Sequence, residues 1–468
     1  MKKVSLVLLT ALTVATLACK KKKDDVTPSG DNSQYTELSG NLSTMTLDAS
    51  KKYLLKGQVF VGDGQTLTIP AGTTIMGDKS TKAALIINLG GKIDAQGTAS
   101  QPIIFTSAQA AGARDEGDWS GVILLGKAKT NWASTPTIEG ITPAVSYGGT
   151  NDADNSGIMK YCRIEFAGIA LSPNNETNGL TFGGVGNGTT IEYVQSSFGG
   201  DDSFEWFGGS VNCKHLVSYA AWDDDFDTDN GFSGQVQYGL AVRDPFQADQ
   251  SGSNGFESDN DANASTLTPR TSAVFSNMTL LGPIGDTTKA ISGNFQSGAH
   301  IRRSSLESIY NTIWVGFKEV IRLQDANTSA TLKGNIAIIA GFNKNTASTF
   351  LNAASGTTYS AVATQWNADN TPNNISTASS TDATNVIKNL SNTLYYSAMT
   401  AAGINSNLFV MNNSAYPADP NFAVSSGALT SGFVTIPAGM ETVSYRGAFG
   451  ATDWTDGWAN FDPKNASY

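Results

Sequence analysis

Residues 191–209 read IEYVQSSFGGDDSFEWFGG, and residues 213–231 read CKHLVSYAAWDDDFDTDNG. Laid over one another at a shift of about 22 residues, they bring Val194 onto Leu216, Asp201 and Asp202 onto Asp223 and Asp224, and Phe204 onto Phe226. Both copies carry strand-length apolar patterns and no helical period. A repeat of about 20 to 25 residues that holds strands but no helix suits a parallel β-helix, whose coils stack at the ordinary strand spacing of about 4.8 Å. The chain is therefore expected to coil rather than meander, with like residues beside like along the stack.

Outward from this pair the same texture holds. MKYCRIEFAG (159–168) overlays IEYVQSSFGG (191–200), placing Phe166 on Phe198 across a longer insertion. Toward the N-terminus, QVFVGDG, QTLTIPAG, AALIINLGG, PIIFTSA and SGVILLG are short apolar runs separated by turn signals. Toward the C-terminus, SNMTLLG, YNTIWVG and GNIAIIAG set Asn277, Asn311 and Asn335 just before apolar runs. In register, each buried amide would donate to the carbonyl of the next; the alternative is three independent turn asparagines, since their spacings differ. Such asparagine ladders resemble those of pectate-lyase-like right-handed β-helices. The expected fold is all-β: a right-handed parallel β-helix over 36–345, a Ser-, Thr-, Asn- and Ala-rich surface excursion over 346–384, and C-terminal strands with a cap over 385–468. FVTIPAG would supply a strand there, and Trp454 and Trp458 would cover the open end of the coil, because a solenoid terminus otherwise exposes core.

Composition agrees. The 468 residues include 48 Gly and 14 Pro, 40% are hydrophobic, and 15% are charged where about 25% is usual. This excludes disorder, which needs high charge with few apolar residues, and a mainly helical chain. A formal net charge of −11 makes nucleic acid a poor partner, because phosphate binding needs clustered Lys and Arg.

The N-terminus states an address. Residues 1–18 pair two lysines with a short apolar run, a secretory signal too short and wrongly flanked to span a bilayer. The ending TLAC resembles the lipobox of bacterial lipoproteins, with Thr16 in place of the usual Leu, and implies acylation of Cys19. Two or three acyl chains at about 0.8 kcal/mol per buried methylene anchor firmly. Residues 19–35 then form a polar tether. Its lysines beside Asp24 and Asp25 resemble the surface-export signal of Bacteroidota lipoproteins; a charged, solvated linker is the plainer reading. Cys162 and Cys213 sit within apolar stretches, as a disulfide pair or as buried free thiols.

The outstanding chemistry is acidic. Asp223, Asp224, Asp225, Asp227 and Asp229 align with Asp201, Asp202 and Glu205 one coil earlier. If DFDTD is extended, Asp225, Asp227 and Asp229 share one face. So many carboxylates repel unless protonated, solvated or metal-bound, and hard oxygen ligands at this density suit Ca²⁺; the competing reading is an acidic, solvated edge. DFDTDNG is not an EF-hand, because its glycine comes one position late and no bidentate Glu closes the loop. NGFESDND (Glu257, Asp259, Asp261) and TNDADNSG (Asp152, Asp154) are lesser candidates. Of the flanking aromatics, Phe204, Phe226 and Phe207 are assigned to the core, while Trp206 and Trp222 are candidates to line a ligand-binding strip. His215 and His300 belong to no catalytic motif and are read as structural.

LIINLGGKIDAQGT, FGGDDSFEWFGGSVNCKHLVSY, DDDFDTDNGFSG, SGSNGFESDND and YRGAFGATDWTDGWANFDP look like a group of Bacteroidota surface lipoproteins of pectate-lyase-like β-helix type, over nearly the whole mature chain. The resemblance implies a β-helix on an outer membrane and brings no settled reaction with it. The expected role is non-catalytic: a lipid-anchored surface protein binding a glycan or a partner protein, alone or as an accessory subunit of an outer-membrane transport or assembly complex. The alternative is a calcium-dependent polysaccharide lyase or glycoside hydrolase, in which a lyase would need Arg243, Arg302 or Arg303 as base near the acids.

Overall fold

The structure, a computed structural model, describes residues 35–172, 175–338, 351–358, 365 and 392–468. The expected signal, Cys19 and the expected tether to residue 34 lie outside the described residues, as does most of the segment 346–384. Twenty-five strands join in one sheet that winds on itself, each pairing in parallel with the strand one coil away. This is a parallel β-helix. The 22-residue register is observed: Val194 pairs with Leu216 and Phe204 with Phe226. The longer insertion before it holds an antiparallel hairpin, Ile169–Ser172 with Asn175–Thr177, followed by the coil strand Leu180–Val185.

Alternation sorts the side chains. In Phe204–Gly209, Phe204 and Trp206 point inward, where Trp206 lies between Phe182 at 5.3 Å and Phe232 at 5.4 Å, and Phe204 stacks on Phe226 at 5.8 Å. Such stacks add roughly 0.5–1.5 kcal/mol per pair beyond area burial. Phe207 has the opposite parity and packs outside against Tyr147, at 6.4 Å, instead of entering the central core. Cys162 and Cys213 are buried free thiols.

Long strands bend where the backbone enters the left-handed region. One column of such bends runs through Tyr161, Tyr193, His215, Tyr238, Asn277 and Asn311, with φ between 46° and 63°, and reaches Gly334. Asparagine and glycine tolerate this conformation; the aromatics are held there by stacking, with centroid distances of 4.4 Å for Tyr161–Tyr193, 4.1 Å for Tyr193–His215 and 4.8 Å for His215–Tyr238. Burial pushes His215 down to about 4, so its ring is neutral in the stack.

The asparagine ladder is corrected in this light. Asn277 and Asn311 share the column, but Asn335 sits one position later and accepts the Thr312 N–H at 2.9 Å. Asn277 and Asn311 donate not to each other but to Tyr445 O at 3.0 Å and Val434 O at 2.9 Å.

Their partners belong to the C-terminal tail, where two further expectations fail. Among the described residues no strand follows Leu351–Ala353, which itself pairs with the coil strand Glu319–Leu323; FVTIPAG is irregular, and helix Asn392–Ala402 precedes it. Trp454 and Trp458 do not plug the end of the coil. They lie along its flank, Trp458 edge-on to Tyr161 at 5.9 Å and Trp454 edge-on to His215 at 5.0 Å. Three coil amides each clasp one tail residue through both its N–H and its C=O: Asn311 on Val434, Gln237 on Glu441 and Gln195 on Asn460. The Arg114 guanidinium then donates to Pro463 O, and Lys52 to Tyr468 O.

Candidate metal centre on the outer acidic face

The strands that carry the acids stack in strict register. With Phe226, Thr228 and Phe256 turned inward, the outward positions line up as Thr181, Glu205, Asp227, Glu257, His300 and Arg322. Coils spaced about 4.8 Å apart force their carboxylates together. The turns before these strands add more: Asp224 N–H donates to Asp202 Oδ1 at 2.7 Å, and Asn254 N–H donates to Asp224 Oδ1, so each aspartate caps the coil that follows.

Three overlapping groups result, each with ligand atoms within 4.8 Å of one another: Asp201, Asp202 and Asp223; Asp202, Glu205 and Asp227; Asp224, Asp227 and Glu257. Asp202 joins the first to the second and Asp227 the second to the third. Burial raises every one of these carboxyls above its usual range, and neighbouring acids add to it, Asp201 for Asp202, Glu139 for Glu205 and Asp259 for Asp227. Asp223 Oδ1 and Asp227 Oδ1 are buried with no hydrogen-bond partner. An all-oxygen donor set with orphaned oxygens fits a hard cation, whose charge would reverse the repulsion.

The third group is partly neutralised by protein. Arg302 pairs with Glu257 and, at 2.8 Å, with Asp259, to which Arg303 adds a contact at 2.6 Å. His300 Nδ1 lies 3.8 Å from Glu257, and burial, then Arg302 and Arg322, drive its pKa down to about 3, so it is neutral. Asp202, Glu205 and Asp227 form no ion pair among the described residues; the Asn178 amide donates to Glu205.

Several site residues fall elsewhere than expected. Asp225 precedes the extended strand Phe226–Asp229, so period-two reasoning does not reach it; it turns inward, 3.0 Å from Arg243 and bonded by Ser218 Oγ at 2.6 Å. Burial lifts it to about 6 against the pull of Arg243. Arg243, at 1% exposure, is thereby sealed in the core and is no base for an external substrate. Asp229 faces outward with Asp227 but belongs to none of the three groups and accepts the Asn230 N–H at 2.5 Å. Trp206 is fully buried, so the two tryptophans form no strip; the register sets Trp206 beside Thr228, and Trp222 stands half-buried in a turn. Asp152 and Asp154 bind Lys129 and the Lys127 N–H and are structural. Glu257, a lesser candidate, is a full member of the cluster. Asn178 and Glu139 come from the inserted segments, outside the repeat that revealed the rest.

The family model for a pectate-lyase-like beta helix domain matches residues 40–397. No curated protein and no solved structure matches the chain.

Proposed function

The chain belongs to the pectate-lyase-like β-helix family, and on that premise we propose that it is a non-catalytic, calcium-bearing binding protein of the cell exterior, held at an outer membrane through acylated Cys19. The working surface is the outward row Glu205, Asp227 and Glu257 with the turn acids Asp201, Asp202, Asp223 and Asp224. Ca²⁺ held there offers its remaining coordination positions to hydroxyl or carboxylate oxygens of a glycan or of a partner protein of the outer membrane. The observation that carries this reading is the overlap of three partly buried carboxylate groups with two orphaned oxygens on an outward face. An uncompensated cluster of this kind is costly to fold, and a cation removes the cost.

The test starts from chelator-stripped protein. Calcium at a hundredfold excess over its dissociation constant stabilises the native state by about 2.7 kcal/mol, so melting shifts upward, less with Mg²⁺. The double change Glu205→Gln with Asp227→Asn erases the shift. An unchanged melting curve in wild type means a solvated acidic edge. Glycan-array capture with and without Ca²⁺, and co-purification from detergent-solubilised outer membranes, then separate a glycan ligand from a protein partner. Cys19→Ser releases the protein from the membrane fraction and abolishes lipid labelling.

A further inference from the structure

Beside the carboxylate row the coils leave a hollow that the row does not use. Gly117, Gly168 and Gly200 meet there on neighbouring coils: a Cβ on Gly200 would stand 2.3 Å from Gly168 O, and one on Gly117 3.0 Å from the same atom. Their missing side chains let these backbones close on one another, and the three line a cavity of about 400 Å³, within the range of small-molecule sites, about 300–1,000 Å³. Its apolar walls are Trp222 and Ile169, and its polar walls are Asp115 and Glu116.

The indole is held in place before any ligand arrives. Trp222 Nε1–H donates to Asp249 Oδ1 at 3.3 Å, while the Trp222 carbonyl accepts from Asp249 N–H and from Ser253 Oγ, each at 2.9 Å. Gln247 Nε2 donates to Glu116 at 3.3 Å, from a loop whose Phe246 is 71% exposed at the surface. The charge around the cavity is predominantly negative. Lys464 reaches Asp115 at 3.7 Å; Asp201 and Asp223 occupy the adjoining turns. Such a site rejects phosphate and uronate, and an aromatic face beside carboxylates recognises positive charge.

We propose that this hollow binds a small organic cation, a primary or quaternary ammonium group on an apolar body, with the Trp222 ring against the cationic head and Asp115 and Glu116 as its counter-charge. Glu116 faces Asp115, Gln247 and, further off, Lys464; burial first and Asp115 next hold it up to about 7. A bound cation draws off that proton, so affinity rises as pH increases from about 6 to about 8.

The test is titration calorimetry of the full chain in chelator, so that its outcome is independent of calcium. The probes are choline, its neutral isostere 3,3-dimethylbutan-1-ol, and methyl β-glucoside. Choline is expected to bind about tenfold or more tightly than the neutral isostere. Glu116→Gln and Trp222→Ala should each weaken choline about tenfold, with Trp222→Phe recovering part of the loss. Equal binding of choline and its isostere overturns the proposal, as does preference for methyl β-glucoside, or the absence of choline binding in protein with an intact melting curve.

Discussion

The flank beneath the C-terminal tail and the outer acidic face are built by one device and turn out opposite. In each, the register sets equivalent side chains of successive coils side by side. On the flank these are rings, Tyr161, Tyr193, His215 and Tyr238, and the tail seals them. On the acidic face they are Glu205, Asp227 and Glu257, whose pKa values are raised by burial first and by neighbouring acids next, and Asp227 Oδ1 is left without a hydrogen-bond partner. Repetition therefore has no fixed sign: it adds stacking where the residues attract and repulsion where they repel.

The largest expected effect lies on the flank. Trp458, 1% exposed, should cost about 3–5 kcal/mol as Trp458→Ala in denaturant melts; a loss below about 1 kcal/mol would make the tail a loose appendage. A comparable loss, about 3–5 kcal/mol, is expected for Asp225→Ala, which strands Arg243 in the core without its partner. Two residues along, Asp227→Asn should do the reverse in chelator, stabilising by up to about 1 kcal/mol because it removes one of a set of opposed like charges.

pH sets the raised carboxyls against the buried histidines. Carboxyls whose folded pKa is raised bind protons more tightly when folded, so stability falls as pH climbs from their unfolded values, 3.8 and 4.5, through the folded ones. Glu307, buried and lifted to about 8, extends that window upward. The two buried histidines oppose this at low pH: with folded values of about 4 and about 3, they lend stability that is lost as pH falls below 6.5. Between about pH 6.5 and 8 the carboxyls act alone, so the melting temperature in chelator should fall, and calcium should flatten that fall. A rising curve in chelator would mean that burial and neighbouring acids do not keep these carboxyls raised in the folded state. The smallest effect is Asn277→Gly, which keeps the left-handed bend but loses the amide bond to Tyr445, worth about 1 kcal/mol.

Coiling and register were legible because Phe204 and Phe226, and Asp202 and Asp224, repeat at one spacing. Trp206 was misplaced although parity could have placed it: in Phe204–Gly209, an inward Phe204 carries Trp206 with it and turns Phe207 out. Asp225 was misplaced for a different reason, since it belongs to a turn, where alternation does not apply. The flank was hidden. Aromatics seldom adopt positive φ, so nothing in Tyr161 or His215 signals that they share a bend with Asn277, and a tail without periodicity announces no partner.

The tail also bears on how the molecule comes apart. A solenoid coupled only through nearest neighbours unravels from its ends, one unit at a time. Here Tyr468 is bonded to Lys52, 416 positions earlier, and the amide clasps on Val434, Glu441 and Asn460 tie intervening coils to the same strand of chain. Fraying an end coil means first peeling this strap from its neighbours, so a one-dimensional array acquires the all-or-none cooperativity of a closed globule. The same linkage is of very long range, and contacts of high sequence separation slow folding.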